Sequence, residues 1–163
     1  MFFRVTTFGL LLLFIAVASQ AAVVDVHIDI KKQKMDVIVA GFHEFNWDIS
    51  SARRGYETPT GKFRVNWMTP MHYSEQYEYS PMPHSIFFHQ GYAIHATKEL
   101  HRLGRPASHG CVRLSPENAE ILYGLVQLYG MHETKIVVKN GPLKELPPTR
   151  PKGWTMMDED DSF

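Results

Sequence analysis

Residues 23–41, with the sequence "VVDVHIDIKKQKMDVIVAG", determine what kind of fold the chain forms. Val24, Val26 and Ile28 alternate with polar residues, which is the period-two pattern of a strand that buries one face. A second apolar run occupies residues 35–39, after a lysine-rich turn. The stretch therefore predicts two β-strands that pair around that turn.

Further strands are predicted downstream, each next to residues that favour turns. The segment 56–67 carries a Pro and a Gly just before an alternation of apolar and polar residues. The segment 85–96 is typical of two strands joined by a turn at Gln90-Gly91, and residues 134–139 are typical of a final strand.

Residues 68–84 show no clean period and are rich in Pro, Met and Tyr, so we predict a long loop there. Loops of this length in compact domains usually carry a function or are disordered. The three tyrosines argue against disorder. Two interpretations stay open, a packed structural loop and a lid that covers a substrate.

One helix is predicted, over residues 115–130. Ser115 is a good N-cap, Pro116 suits the first turn, and Gly130 can end the helix. Its apolar face consists of Ile121, Leu122, Leu125, Val126 and Tyr129. Because the other elements are strands, we expect a mostly β fold class, a compact sandwich or barrel-like domain with one principal late helix.

The 163 residues correspond to one domain with a segment at each end. Residues 1–21 have an early arginine, an apolar run and then small residues, the layout of a secretory signal peptide, so we expect an exported protein. Residues 22–140 are the predicted folded domain. Residues 141–163 are Pro-rich and then acidic, and we expect them to be disordered. Basic and acidic residues number 17 each, which excludes the basic excess typical of nucleic-acid-binding proteins.

Cys111 is the single cysteine, so in an exported chain it has no partner for an internal disulfide. It is therefore an inert buried residue, an intermolecular link or a reactive thiol. A thiol attacks as the thiolate, which requires a base or a positive environment beside it. Two histidines are candidates for that base: His109, in the same loop, and His95, on a predicted strand before the loop.

The neighbouring residues fit acyl transfer through a thioester. Gly110 leaves the backbone beside the thiol open, so that amide groups there can hold an oxyanion. Arg113 supplies a planar cation that can bind a substrate carboxylate through two hydrogen bonds. Neither a metal nor another cofactor is expected, since no common zinc-site spacing is matched by His84, His89, His95 and His101.

The segment 94–116, "IHATKELHRLGRPASHGCVRLSP", resembles the signature of the L,D-transpeptidase family with a YkuD-type catalytic domain. That signature is a histidine, a spacer of a dozen or more residues, Ser/Thr-His-Gly-Cys, a hydrophobic residue, and Arg or Asn. His95 and the segment 108–113 fill it here. The upstream "TPTGKFRV" is similar to the family's Thr-Pro-x-Gly stretch, and the resemblance covers about residues 24–138.

The resemblance implies that residues 22–140 are an L,D-transpeptidase catalytic domain with Cys111 as the nucleophile. It implies that His95, rather than His109, is the base, and that Ser108, His109 and Arg113 shape the pocket. The loop of Ser108, His109 and Gly110 is the expected oxyanion loop.

The substrates implied by the resemblance are peptidoglycan stem peptides. They are cleaved after the third residue, usually diaminopimelate, and the acyl group passes to an amine of another stem, an envelope lipoprotein or a free D-amino acid. Together with the export signal, this places the protein most readily in a periplasm. One departure is "ISSARRGYE" (49–57), where the family often has a small residue and a glycine, so the pocket edge is expected to differ there.

Three alternative functions are considered, of which the hydrolase stays open and the other two are disfavoured by the sequence. A hydrolase would use the same acyl-enzyme and pass the acyl group to water. A catalytically silent wall-binding protein would not need His95 and Cys111. A papain-like or NlpC-type peptidase places its cysteine before its histidine, which is the reverse of the order here.

Overall fold

The computed structural model describes residues 23–151, and these residues form nine strands, one α-helix and two 3-10 turns. The strands are β1 (Val24–Asp29), β2 (Lys34–Val39), β3 (Phe42–Asp48), β4 (Gly61–Arg64), β5 (Trp67–Ser74), β6 (Ser80–His89), β7 (Tyr92–Ala96), β8 (Val112–Leu114) and β9 (Thr134–Lys139). The helix α1 is Pro116–Tyr129, and the 3-10 turns are Glu75–Tyr77 and Leu100–Arg102.

The strands form two sheets, which confirms the mostly β fold class with one principal late helix. Sheet A has the order β3-β2-β1-β9-β4, and sheet B has the order β5-β6-β7-β8. In sheet A, β1 pairs antiparallel with β2, as the opening stretch predicts, and parallel with β9. Val24, Val26 and Ile28 are buried, because the alternation in β1 turns one face of the strand toward the core.

The sequence pattern does not predict β3, and the reason lies in its position. This strand is at one end of sheet A, and most of its residues are only partly buried. A strand with little buried surface needs no apolar alternation, so the pattern that identifies β1 is missing.

The prediction of a loop over residues 68–84 is wrong. Strands β5 and β6 pair antiparallel across this segment, with the 3-10 turn Glu75–Tyr77 near the tip. Strand β5 is at the end of sheet B and has no fully buried residue, so its sequence again lacks alternation. Proline is tolerated in such edge strands because one side of the strand needs no partner. The segment is a β-hairpin, called the β5–β6 hairpin below.

The predicted helix is confirmed, and it begins and ends at the predicted residues. The Ser115 hydroxyl accepts a hydrogen bond from the Asn118 amide (3.2 Å), Pro116 occupies the first turn, and Gly130 ends α1. The helix packs against β6 and β7. It buries Leu122, Leu125 and Val126 in a core built from both sheets, and one of the strands it supports, β7, carries His95.

Residues 148–150, in the segment expected to be disordered, lie beside β3. The His43 amide donates to the Pro148 carbonyl (3.0 Å), and Arg150 forms an ion pair with Glu44 (2.6 Å). The predicted signal peptide and the rest of the predicted tail lie outside the described residues. Within residues 23–151, no helix has the length and apolar character needed to cross a membrane.

Candidate active site

Strands β7 and β8 place His95 and Cys111 on one face of sheet B. The two strands run parallel, with His95 opposite Arg113. Cys111 is the residue just before β8, and continuing the register two residues back from His95 and Arg113 brings it beside Ala93; side chains two residues apart point to the same face. Cys111 packs against the buried cluster of Met82, Phe87 and Ala93. The parallel pairing therefore brings the predicted nucleophile and the predicted base together.

His95 and Cys111 line a cavity of about 840 Å³, a size that suits a peptide-sized or drug-sized ligand. Arg113 and the loop residues Ser108 and His109 also line it. Much of the remaining lining comes from the β5–β6 hairpin, namely residues 71–74, 76, 77 and 80–84. All the predicted site residues except Gly110 thus line one cavity.

His95 is buried and held in a neutral state. Its Nδ1 is 2.8 Å from the carbonyl oxygen of Ala96, an acceptor, so Nδ1 carries the proton and Nε2 is left free to accept one. Burial lowers the pKa of His95 to about 4; the hydrogen bond to Ala96 opposes this shift, and the nearby Arg113 charge adds to it. At neutral pH the ring is therefore an uncharged acceptor, the state that a general base requires.

Cys111 rests as a thiol. Burial raises the pKa of the Cys111 thiol above its ordinary value, while the Ala93 backbone N–H and the Arg113 charge lower it in part. Since the pKa of His95 is lowered at the same time, a resting thiolate–imidazolium pair is disfavoured. The arrangement fits a base that removes the thiol proton as the sulfur attacks.

Hydrogen bonds from outside the signature hold the loop before Cys111. The amides of Ala107 and Ser108 both donate to the Ser51 carbonyl oxygen at 2.9 Å. The Thr58 hydroxyl donates to the Gly110 carbonyl oxygen at 2.8 Å and accepts from the Ala52 amide at 3.0 Å. The loop that carries the nucleophile is thereby fixed to the segment 49–58. This segment includes residues 49–57, whose sequence differs from the family pattern.

Gly110 is required by both backbone conformation and space. Its φ is +135°, and a Cβ there would lie 2.9 Å from the Glu57 carbonyl oxygen and collide with the Tyr92 ring. The Gly110 amide donates to Ser108 Oγ at 3.0 Å. Ser108 therefore supports the loop, and the Gly110 amide could serve an oxyanion only by exchanging this bond, so the oxyanion role of the loop stays a prediction.

His109 lies between two aromatic rings. Its ring stacks on Tyr77 of the β5–β6 hairpin, with centroids 4.4 Å apart, and meets the edge of Tyr56 at 4.6 Å. Burial and the charges of Arg53 and Arg113 lower the pKa of His109. These contacts join the loop to the tip of the hairpin, which agrees with a pocket-shaping role.

Arg113 has an intramolecular partner that the sequence did not suggest. Its Nη1 is 2.8 Å from Glu99 Oε2, and the side chain is mostly buried beside the cavity. The guanidinium has further N–H groups, so the ion pair orients the fork without using all of it. A substrate carboxylate would meet an Arg113 that is already positioned.

Sequence reasoning missed Gln33, Ser51, Thr58 and Glu99. The buried Gln33 side chain donates to Ser51 Oγ (2.6 Å) and accepts from the Ser51 amide (2.8 Å). A glutamine in a lysine-rich turn gives no sequence signal of such a role. Thr58 belongs to the quoted Thr-Pro-x-Gly stretch, which was the one sequence signal available for these residues.

In the part of the chain that the structure describes, no group of three or more His, Cys, Asp or Glu side chains is placed to hold a metal ion.

The family model of the YkuD L,D-transpeptidase catalytic domain matches residues 24–139. A search of curated proteins gives no match. Among solved structures, the chain is similar to an L,D-transpeptidase from Mycobacterium smegmatis, with a TM-score of 0.65 and 22% identity over 72% of this chain and 59% of that one.

Two further solved structures are similar at comparable coverage. One is the L,D-transpeptidase of Xylanimonas cellulosilytica, with a TM-score of 0.61 and 28% identity over 74% of this chain and 62% of that one. Another is L,D-transpeptidase 3 from Mycobacterium tuberculosis in complex with a faropenem-derived adduct, with a TM-score of 0.62 and 21% identity over 72% and 60%. The chain spans about three fifths of the length of these proteins.

Proposed function

The chain belongs to the YkuD family of L,D-transpeptidase catalytic domains, and on that premise we propose that it is a cysteine L,D-transpeptidase acting on peptidoglycan stem peptides. The observation that carries the proposal is the placement of Cys111 and a neutral, buried His95 on one face of adjacent strands, inside one cavity.

In the proposed first step, Cys111 Sγ attacks the carbonyl carbon of the third stem residue while His95 Nε2 takes the thiol proton. The Ala96 carbonyl, which accepts from Nδ1, stabilises the imidazolium that forms. The tetrahedral intermediate then expels the amine of the terminal D-alanine, and His95 returns the proton to it. A thioester at Cys111 remains, and the base is neutral again.

In the proposed second step, an acceptor amine enters the cavity vacated by D-alanine. His95 takes a proton from the amine as it attacks the thioester carbonyl, and Cys111 leaves. Burial raises the pKa of the thiol, so the departing thiolate recovers a proton from His95 readily. The product is a new amide bond to another stem, an envelope lipoprotein or a D-amino acid.

The substrate's carboxylates are assigned to Arg113 in this proposal. Stem peptides carry one on the diaminopimelate side chain and one at the terminal D-alanine. The Arg113 guanidinium lies beside the cavity, two residues after the nucleophile, and Glu99 orients it. A fixed planar cation favours a carboxylate over a neutral amide. We expect the protein to meet this substrate in the periplasm, because residues 1–21 predict export.

Labelling by a β-lactam tests the nucleophile. Because a related structure is in complex with a faropenem-derived adduct, we expect faropenem to add covalently to this protein at a single site. Intact-mass spectrometry of the wild type and of Cys111→Ala measures this. The control is His101→Ala, which changes an exposed side chain outside the cavity and leaves the thiol and its loop intact. An adduct of equal yield on Cys111→Ala would assign the reaction to another residue.

Incubation with a purified stem tetrapeptide tests the reaction itself. We expect loss of D-alanine and, with an added amine such as glycine or a D-amino acid, formation of the amide product. Mass spectrometry distinguishes this product from the tripeptide that hydrolysis gives. Tripeptide alone, at every amine concentration, would identify a hydrolase that uses the same acyl-enzyme. No change of the tetrapeptide with a faropenem-reactive protein would refute the proposed substrate.

A further inference from the structure

The catalytic face of sheet B extends beyond the cavity as a row of side chains that starts at Cys111, just before β8, and crosses β7, β6 and β5. Trp67 of β5 lies opposite Phe87 of β6, and Phe87 lies opposite Ala93 of β7. Phe87 and Ala93 belong, with Met82, to a buried cluster against which Cys111 packs. Residues opposite one another on neighbouring strands project from the same face of a sheet. The row therefore runs from the nucleophile to the outer edge of the sheet.

Trp67 at the end of this row is rigid and accessible. Its ring is stacked on Phe87, with centroids 4.0 Å apart and planes only 5° from parallel, and the edge of the His72 ring also contacts it. A fraction of 44% of the Trp67 surface is nevertheless exposed. Since Phe87 covers one face of the indole, the exposed surface includes a flat ring held in a fixed orientation.

The surroundings of Trp67 continue the cavity. Phe87 and His72, the two rings that hold Trp67, both line it, as does the exposed Met71. Strand β5 is the outer strand of sheet B in the part of the chain that the structure describes, so a ligand can pass from the cavity over this edge. An exposed apolar surface continuous with a binding cavity is typical of an extended ligand site.

We propose that Trp67 is a stacking platform for a sugar ring of the glycan that carries the stem peptide. The apolar C–H face of a pyranose ring packs well on a flat aromatic ring, and the sugar hydroxyls remain in water. This proposal rests on the proposed function, because it takes the donor to be a stem peptide joined to an N-acetylated amino-sugar polymer.

The length of the stem agrees with this assignment. The row from Cys111 to Trp67 spans three interstrand spacings of about 4.8 Å, or about 14 Å. When the third residue of the stem is at Cys111, the three residues back to the sugar extend about 10–11 Å, and the ether link to the ring adds a few ångströms. The first sugar ring therefore reaches the edge strand while the scissile bond lies at the thiol.

Two donors that differ only in the sugar test the platform. One is the free tetrapeptide, and the other is the same tetrapeptide on its N-acetylglucosamine–N-acetylmuramic acid disaccharide. We expect the wild type to prefer the disaccharide donor in kcat/KM by about three- to tenfold, the size of one stacked ring contact. Trp67→Ala should reduce that preference to about one, whereas Trp67→Phe should keep most of it.

The ratio of the two rates separates a binding role from a folding defect, because a damaged cavity slows both donors alike. Leu128→Ala, which removes an exposed apolar side chain of α1, is the control and should keep the wild-type preference. An equal preference in the wild type and in Trp67→Ala, or no preference in the wild type, would overturn the platform.

A binding measurement tests whether Trp67 binds a sugar ring without relying on turnover. Calorimetry with an N-acetylglucosamine oligomer on Cys111→Ala protein should detect weak binding that Trp67→Ala removes. If the wild type cleaves neither donor, the proposed function fails, and the calorimetric measurement is then the test of sugar binding at Trp67. Equal binding with and without the indole would refute the sugar site even if both donors are cleaved.

Discussion

The lowered pKa of His95 gives a quantitative prediction for stability against pH. The pKa falls from an ordinary 6.5 to about 4 in the folded protein. Above pH 6.5 the residue is neutral in both states and adds no pH dependence. As the pH falls through 6.5, the unfolded chain takes up a proton that the folded protein refuses, so unfolding becomes more favourable. The effect is complete below about pH 4.

The size of the effect follows from the two pKa values. At about 1.36 kcal/mol for each pH unit between them, the free energy of unfolding decreases by about 3 kcal/mol. His95 is 7% exposed, so solvent screening reduces this figure little. For a domain of this size, about 3 kcal/mol is a large part of a total stability of about 5–15 kcal/mol.

The variant His95→Asn isolates this contribution. Asparagine keeps a donor near the position of Nδ1, for the Ala96 carbonyl, but does not titrate. Urea unfolding followed by tryptophan fluorescence at several pH values, from about 7 down to about 4, gives the free energy of unfolding of each protein. We expect the wild type to lose about 3 kcal/mol more than His95→Asn across this range.

The control is His101→Asn, because His101 is exposed and its removal should leave the wild-type slope unchanged. If the curves of the wild type and His95→Asn run parallel, His95 is not held neutral by burial. An uncharged His95 as the resting base would then be refuted as well.

Three further predictions concern the loop and Arg113. Thr58→Val should lower the free energy of unfolding by about 1–3 kcal/mol, since it leaves the buried Gly110 carbonyl without its donor; Thr58→Ser should restore most of it, and equal melting points for all three proteins would contradict this. Gly110→Ala should slow acylation by faropenem at least about tenfold, because the loop must shift to relieve the contact with Tyr92; stopped-flow rates equal to those of the wild type would show that the loop adapts. Arg113→Lys should lower kcat/KM for the stem about tenfold or more, and less for a stem whose diaminopimelate carboxylate is amidated, because hydrogen bonds to a charged group contribute about 1.5–3 kcal/mol; a lower melting point with equal losses on both stems would make Arg113 only a support for Glu99 and the loop.

Some elements are determined locally and could be predicted from the sequence. Helix α1 has its cap, its first-turn proline and its terminating glycine within sixteen residues, and β1 has its alternation within six. The pair of His95 and Cys111 was also accessible, because the signature joins them in one segment. In each case, the residues that define the feature are near one another in the chain.

The tertiary structure decided what depends on contacts between distant segments. The β5–β6 hairpin has an exposed edge strand, so burial imposes no pattern on its sequence, and only pairing with β6 reveals it. The neutral state of His95 comes from burial in the assembled core, which no spacing encodes. Thr58 binds the catalytic loop directly, at Gly110, 52 residues further along the chain. Gln33 acts on the loop indirectly, because it holds Ser51, 18 residues away, which in turn binds the loop. A hydroxyl or amide acquires such a role only when folding removes its alternative partner, water.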